Sequence, residues 1–185
     1  MENQWDHSFA RSLKTVLDEC VYGSRLIGSD PALVLHGGGN TSVKAPFDDI
    51  TGNSFDALFV KGSGWDLATI EEQGFAPLNL SRLRDLLALD SLSDSEMMRE
   101  LTASSFDPDA PAPSVESLLH AYISHPAVLH SHADAVVSIT NVADGEKLVR
   151  DIFGDSVIVI PYVMPGFELA KTVTTMWPTQ AHERT

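Results

Sequence analysis

Cysteine is almost missing from this chain. One residue, Cys20, among 185 excludes an intrachain disulfide framework. Bases are scarce: 12 Lys and Arg face 26 Asp and Glu, a formal charge of −14. That balance argues against unaided binding to nucleic acid or to an anionic membrane, both of which call for a basic surface. Long apolar runs are lacking as well. The longest uncharged one, Ser156 to Phe167, is interrupted by Pro161 and Pro165, and it falls short of the ~20 residues a bilayer-spanning helix requires. The first residues, Met1-Glu2-Asn3-Gln4-Trp5-Asp6, have neither the basic nor the apolar stretch of a secretory signal. There is no internal repeat and no low-complexity tract. What is present is 43% hydrophobic sequence, enough to bury a core and to argue against wholesale disorder. The expectation is one soluble, acidic, cytoplasmic domain over residues 1–185, with neither nucleic acid nor membrane as a partner.

Apolar spacing predicts a helix over 8–27, ended by Asp30-Pro31. Leu33-Val34-Leu35 reads as a short buried strand. It runs into His36-Gly37-Gly38-Gly39-Asn40, a tight loop. Strands follow at Thr41–Ala45 and Ala57–Val60, joined by a polar hairpin connection over 46–56. Residues 81–105 read as two short helices, with Ser93 as an N-cap and Glu96 three residues on. A proline-rich loop over 106–113 precedes a helix from Ser114 to Pro126. Further elements are a strand at Ala127–Ser131, helices at 133–139 and 144–153, a strand at Val157–Ile160 and a helix at Phe167–Met176. Hairpin-like strand pairs mixed with βα alternation predict an α/β sandwich on a mixed sheet.

His130-Ser131-His132 ends a predicted strand. Side chains two apart on a strand share a face, so the two imidazoles can converge on one ion. Neutral imidazole suits Zn²⁺ and similar metals, and Asp134 can orient such a ligand from behind. A tetrahedral catalytic site takes three protein ligands, and the local sequence supplies two. The plainer alternative is a pair of polar residues at a strand end.

Three segments suit an anion: Gly37 to Ser42, Gly62-Ser63-Gly64, and Pro113-Ser114 at a helix start. Glycines let backbone N–H groups approach a phosphate closely, and a helix start adds a positive dipole. Lys44 and Lys61 lie nearby. Ordinary turns are the better explanation of any one segment taken alone, and no G-x-G-x-x-G occurs. Glu116, in the first turn of its predicted helix, is favoured there by the helix dipole alone. Its functional reading is a general acid/base beside a metal. His120, four residues on, reads as structural or as a support behind the ligands.

Taken together, Gly39-Asn40-Thr41-Ser42, Ser63-Gly64, Pro113-Ser114-Val115-Glu116 and His130-Ser131-His132 resemble the class II aldolase/adducin family in kind and order, across residues 10–176. The stretches Lys61 to Thr69 and Pro161 to Phe167 are similar to the aldolase part of bacterial bifunctional rhamnulose-1-phosphate aldolase/short-chain dehydrogenase proteins. The resemblance implies a three-layer α/β/α sandwich and a homo-oligomer, often a tetramer. It implies Zn²⁺, or another divalent transition metal, on His130 and His132, with Glu116 as the catalytic acid/base. Gly39, Asn40, Ser63, Gly64 and Ser114 would hold the phosphate of a small sugar phosphate. The implied reaction is reversible cleavage of a ketose 1-phosphate to dihydroxyacetone phosphate and an aldehyde. The family also contains pentulose-phosphate epimerases, thiosugar-phosphate dehydratases and the non-catalytic assembly domains of adducin.

Two departures from the family pattern stand out. Many sugar-phosphate aldolases of the family have Ser-Ser before the Glu, where this chain has Ser114-Val115, one hydroxyl fewer. The family's third metal histidine lies far beyond the pair, past Thr185, and His182 in the polar tail is not read as its substitute. The expectation is therefore a C-terminally truncated domain without its final strand and helix, and without the dehydrogenase half.

Overall fold

Alternation along a single strand organises the molecule. In the computed structural model, which describes residues 2–177, strand β1 (Asn40–Asp48) pairs antiparallel with β2 (Ser54–Lys61) on one side and β4 (Ala127–His130) on the other. Strand β3 (Phe75–Asn79) extends the sheet beyond β2, giving the order β3-β2-β1-β4. Successive side chains on a strand face opposite ways. Thr41 and Val43 accordingly meet helix α2 (Val16–Gly28), where Thr41 Oγ1 lies 2.7 Å from Ser24 Oγ and Val43 joins Cys20, Val21, Leu67 and Phe75. On the other face Leu58, Val60, Ala76 and Leu78 pack against helices α3 (Leu80–Leu87), α5 (Ser117–Tyr122) and α8 (Phe167–Met176), through Leu83, Leu118 and Phe167. Each of the buried leucine, valine and phenylalanine side chains among them contributes roughly 1.5–3 kcal/mol. The result is the expected three-layer α/β/α sandwich.

Local signals place the helix ends. Thr15 and Asp18 form a reciprocal capping box at the start of α2, and Ser93 and Glu96 form the anticipated one at α4 (Asp94–Ala103). Such a cap stabilises by about 1 kcal/mol. The helix expected over 8–27 is divided. Asp6 caps a first turn, α1 (His7–Ala10), and Thr15 starts α2 afresh.

The mixed sheet is corrected. Every strand pairing among the described residues is antiparallel. Parallel pairing needs a crossover to another strand, and the two segments that would have supplied one, Leu33–Leu35 and Val157–Ile160, lie outside the strands. Residue 33 instead latches the chain beyond β4: the Leu33 carbonyl accepts from His132 N–H at 2.8 Å, and the Ala32 carbonyl from Asp134 N–H at 2.9 Å. Strand β3 was not foreseen, because Pro77 argues against a strand. Strand β3 is the outermost strand of the sheet, where proline is tolerated. Helices α6 (Asp134–Thr140) and α7 (Gly145–Phe153) match the sequence reading closely. The tail with His182 lies outside the described residues.

Candidate functional site

Backbone constraints bring the two histidines against the glycine loop. His36, Gly37 and Gly39 all take positive φ, at 46°, 77° and 66°. A Cβ on Gly39 would sit 2.6 Å from the His130 carbonyl oxygen, and one on Gly38 would sit 3.2 Å from His132 Nδ1. Only glycine lets this loop close so tightly on the end of β4. The sheet register then sets Asn40, the first residue of β1, directly across from His130.

Glu116 approaches the same point from the other layer. Helix α5 begins at Ser117, not at Ser114, and Glu116 is its N-cap residue. Its carboxylate makes no capping bond to its own helix, so the helix does not account for this side chain. It turns instead to the sheet: Asn40 Nδ2 donates to Glu116 Oε2 at 2.5 Å, and His130 Nδ1 lies 3.0 Å from the same oxygen. The amide must present nitrogen here, since its oxygen would be repelled by the carboxylate. His130 Nδ1 is near enough for an ion pair but off the line of a hydrogen bond. Burial pushes the Glu116 carboxyl up, yet the contact and charge of His130 and the Asn40 amide outweigh it and hold the group down at about 2. Glu116 is therefore ionised at neutral pH. Asn40 Oδ1 is buried and has no partner among the described residues.

The imidazoles of His130 and His132 do converge, with ring centroids 4.8 Å apart and planes inclined by 61°. Their donor chemistry and proximity fit two positions of a zinc-type site. No group of three or more His, Cys, Asp or Glu side chains poised to hold an ion occurs among the described residues. A third protein donor would come from elsewhere.

The anion-binding segments work differently from their sequence reading. Gly62 N–H is bound to the Gly74 carbonyl at 2.8 Å and Ser63 N–H to the Ala112 carbonyl at 2.7 Å. These amides tie the loop down and are not free for a phosphate. The same wall holds the hydroxyl-bearing Ser63 and Ser114 and a cation, Lys61, which the sequence sets beside these segments. Lys61 is almost fully buried, and its Nζ donates to the Gly37 carbonyl at 3.1 Å. Burial lowers its pKa, partly opposed by the charge of Asp66. Its place immediately before Gly62-Ser63-Gly64 was a usable signal. Lys44 lies elsewhere, its ammonium on the His125 carbonyl at 2.8 Å.

All eight residues singled out in the sequence line one cavity of about 400 Å³. Gly39, Asn40, Glu116, His130 and His132 form one group, and Ser63, Gly64 and Ser114 the other. Gly37, Lys61, Gly62, Val115 and Pro165 complete the lining. A larger cavity of about 580 Å³, beside Trp5 and Leu129, has no histidine, cysteine or lysine in its wall. The chemistry is concentrated in the smaller one.

The sequence matches the family model for the Class II Aldolase and Adducin N-terminal domain over residues 18–182. The chain belongs to this family. A solved structure, the N-terminal class II aldolase domain of a conserved protein from Thermoplasma acidophilum, is 43% identical and superimposes with a TM-score of 0.88. The match covers 97% of this chain and 82% of that one. Among curated proteins, the uncharacterized oxidoreductase YuxG of Bacillus subtilis (strain 168) is 41% identical over 169 residues, 91% of this chain. The chain spans 24% of that relative's length. No helix among the described residues is long and apolar enough to cross a membrane.

Proposed function

We propose that this chain is a metal-dependent sugar-phosphate aldolase domain that cleaves a ketose 1-phosphate reversibly to dihydroxyacetone phosphate and an aldehyde. The observation that carries this reading is the shared cavity. It sets an ionised carboxylate, Glu116, beside two imidazoles, and it also contains two serine hydroxyls and a buried ammonium. Its volume suits a small phosphorylated sugar. The YuxG name describes a protein four times as long, so its oxidoreductase label is not carried over.

Lys61, Ser63 and Ser114 bind the phosphate in this reading. Gly39 and Gly64 let the backbone approach the substrate, and Asn40 offers its unpartnered Oδ1 to a substrate hydroxyl. His130 and His132 would hold Zn²⁺ or a similar ion. Such an ion, when bound, supplies positive charge to an oxyanion developing on the substrate. In the condensation direction Glu116, ionised at rest, takes a proton from the carbon beside the ketone. In the cleavage direction it returns that proton to the same carbon. Assembly into a cytoplasmic homo-oligomer belongs to the same proposal and rests on the family resemblance.

The test is a substrate panel with metal analysis. Zinc-loaded protein should release dihydroxyacetone phosphate from at least one ketose 1-phosphate and leave pentulose 5-phosphates unchanged. Epimerisation of a pentulose 5-phosphate would replace the aldolase reading. Protein that takes up no metal and turns over neither class would indicate an adducin-like, non-catalytic domain.

A further inference from the structure

Three hydrogen bonds join one face of β1 to the segment that carries Glu116. Asn40 Nδ2 donates to Glu116 Oε2, Ser42 Oγ shares a bond of 2.8 Å with His120 Nδ1, and Lys44 Nζ donates to the His125 carbonyl oxygen. The spacing is matched. Two residues along a strand advance ~6.6 Å, and four along a helix advance ~6 Å. The pairs 40/116 and 42/120 therefore run in step.

The middle rung is the most deeply buried, with Ser42 0% and His120 1% exposed. Ser42 is held from both sides, opposite Val60 in β2 and Val128 in β4. It is the fixed end. Helix α5 has six residues, too few to be stable without its packing. His120 N–H closes the turn that begins at the Glu116 carbonyl, at 3.1 Å. Glu116 has no capping bond to anchor its own side chain.

We propose that His120 is a positioning residue: by gripping Ser42 it sets the register of α5 on β1 and so keeps the Glu116 carboxylate on Asn40 and beside His130. A core histidine that merely fills space would leave that carboxylate where it is. The proposal goes deeper into the aldolase reading and rests on it for the role of Glu116.

The test uses the full chain and three variants. His120→Leu removes the bond, His120→Asn keeps a polar atom at the δ position, and Ser42→Ala opens the rung from the strand. Each is followed by circular dichroism, by the side-chain amide signal of Asn40 in ¹H–¹⁵N spectra, and by kcat and KM of the zinc-loaded protein on the best ketose 1-phosphate. In folded His120→Leu and Ser42→Ala, the Asn40 amide proton should leave its hydrogen-bonded position and exchange about tenfold faster. kcat should fall about tenfold or more with KM changed less than about twofold, and His120→Asn should recover much of both. An unchanged Asn40 amide in either folded variant overturns the proposal, whatever the turnover. If His120→Leu does not fold, Ser42→Ala decides. If neither folds, His120 is a core strut and the proposal fails. Absence of cleavage by the wild-type protein would sink the aldolase reading instead, and the amide signal would still decide the place of His120.

Discussion

Asn40 and Glu116 lie 76 positions apart in sequence, yet the Asn40 amide donates to the Glu116 carboxylate at 2.5 Å. This contact joins the sheet to the helical layer at the point where His130 also arrives. Asn40→Ala would leave a largely buried carboxylate oxygen without its donor. The expected loss is roughly 1–3 kcal/mol of stability, read by urea unfolding. A fall of about tenfold or more in turnover should accompany it if the contact orients the carboxylate.

Metal content offers a second prediction. His130→Ala and His132→Ala each leave a single imidazole of the pair. Both should lose most bound zinc in elemental analysis while keeping the wild-type far-ultraviolet spectrum. Zinc retained at wild-type stoichiometry in either variant would place the ion elsewhere.

Gly39 and Gly52 both have positive φ, at 66° and 84°, but only Gly39 is crowded. A methyl at Gly52 meets nothing within 4 Å, whereas one at Gly39 meets the His130 carbonyl at 2.6 Å. Gly52→Ala should cost about 1–2 kcal/mol, the conformational part alone. Gly39→Ala should cost at least about 2 kcal/mol more, because backbone must move. Chemical denaturation of the two variants compares them directly. Equal losses would mean that the loop yields easily around the histidine.

Burial depresses the pKa of His120 to about 4, with His130 and Lys44 adding to the effect and Glu116 opposing it. The folded state thus prefers the neutral ring. Its contribution is fully present above the unfolded value of about 6.5 and is lost as the pH falls through 4. That shift corresponds to at most about 3–4 kcal/mol. Unfolding free energy should decline between pH 6.5 and 4, and the decline should be shallower in a folded His120→Asn variant. The imidazole signals of His120 should titrate near pH 4 in the same range.

Much of the site was legible because its residues interrupt apolar segments. Glycines, serines and histidines gather at the ends of Ala57–Val60 and Ala127–Ser131, and all eight candidates reach one cavity. The parts that escaped are those decided across the sheet. Lys61 stands next to the anion-binding segments in sequence, but its burial against Gly37 exists only once the glycine loop folds over it. His120 takes its partner, Ser42, from 78 positions away. Strand β3 was hidden by Pro77, whose place at an edge depends on which strands pair. The backbone amides of Gly62 and Ser63 looked free for an anion until Gly74 and Ala112 were seen to occupy them.

The most direct test concerns Glu116. Zinc-loaded wild-type protein and Glu116→Gln should be compared on the same ketose 1-phosphate, measuring bound metal, substrate affinity and release of dihydroxyacetone phosphate. The account predicts that the variant keeps its zinc, still binds the sugar phosphate, and releases product at least about a hundredfold more slowly. Release at the wild-type rate by Glu116→Gln, with metal and affinity intact, would contradict it.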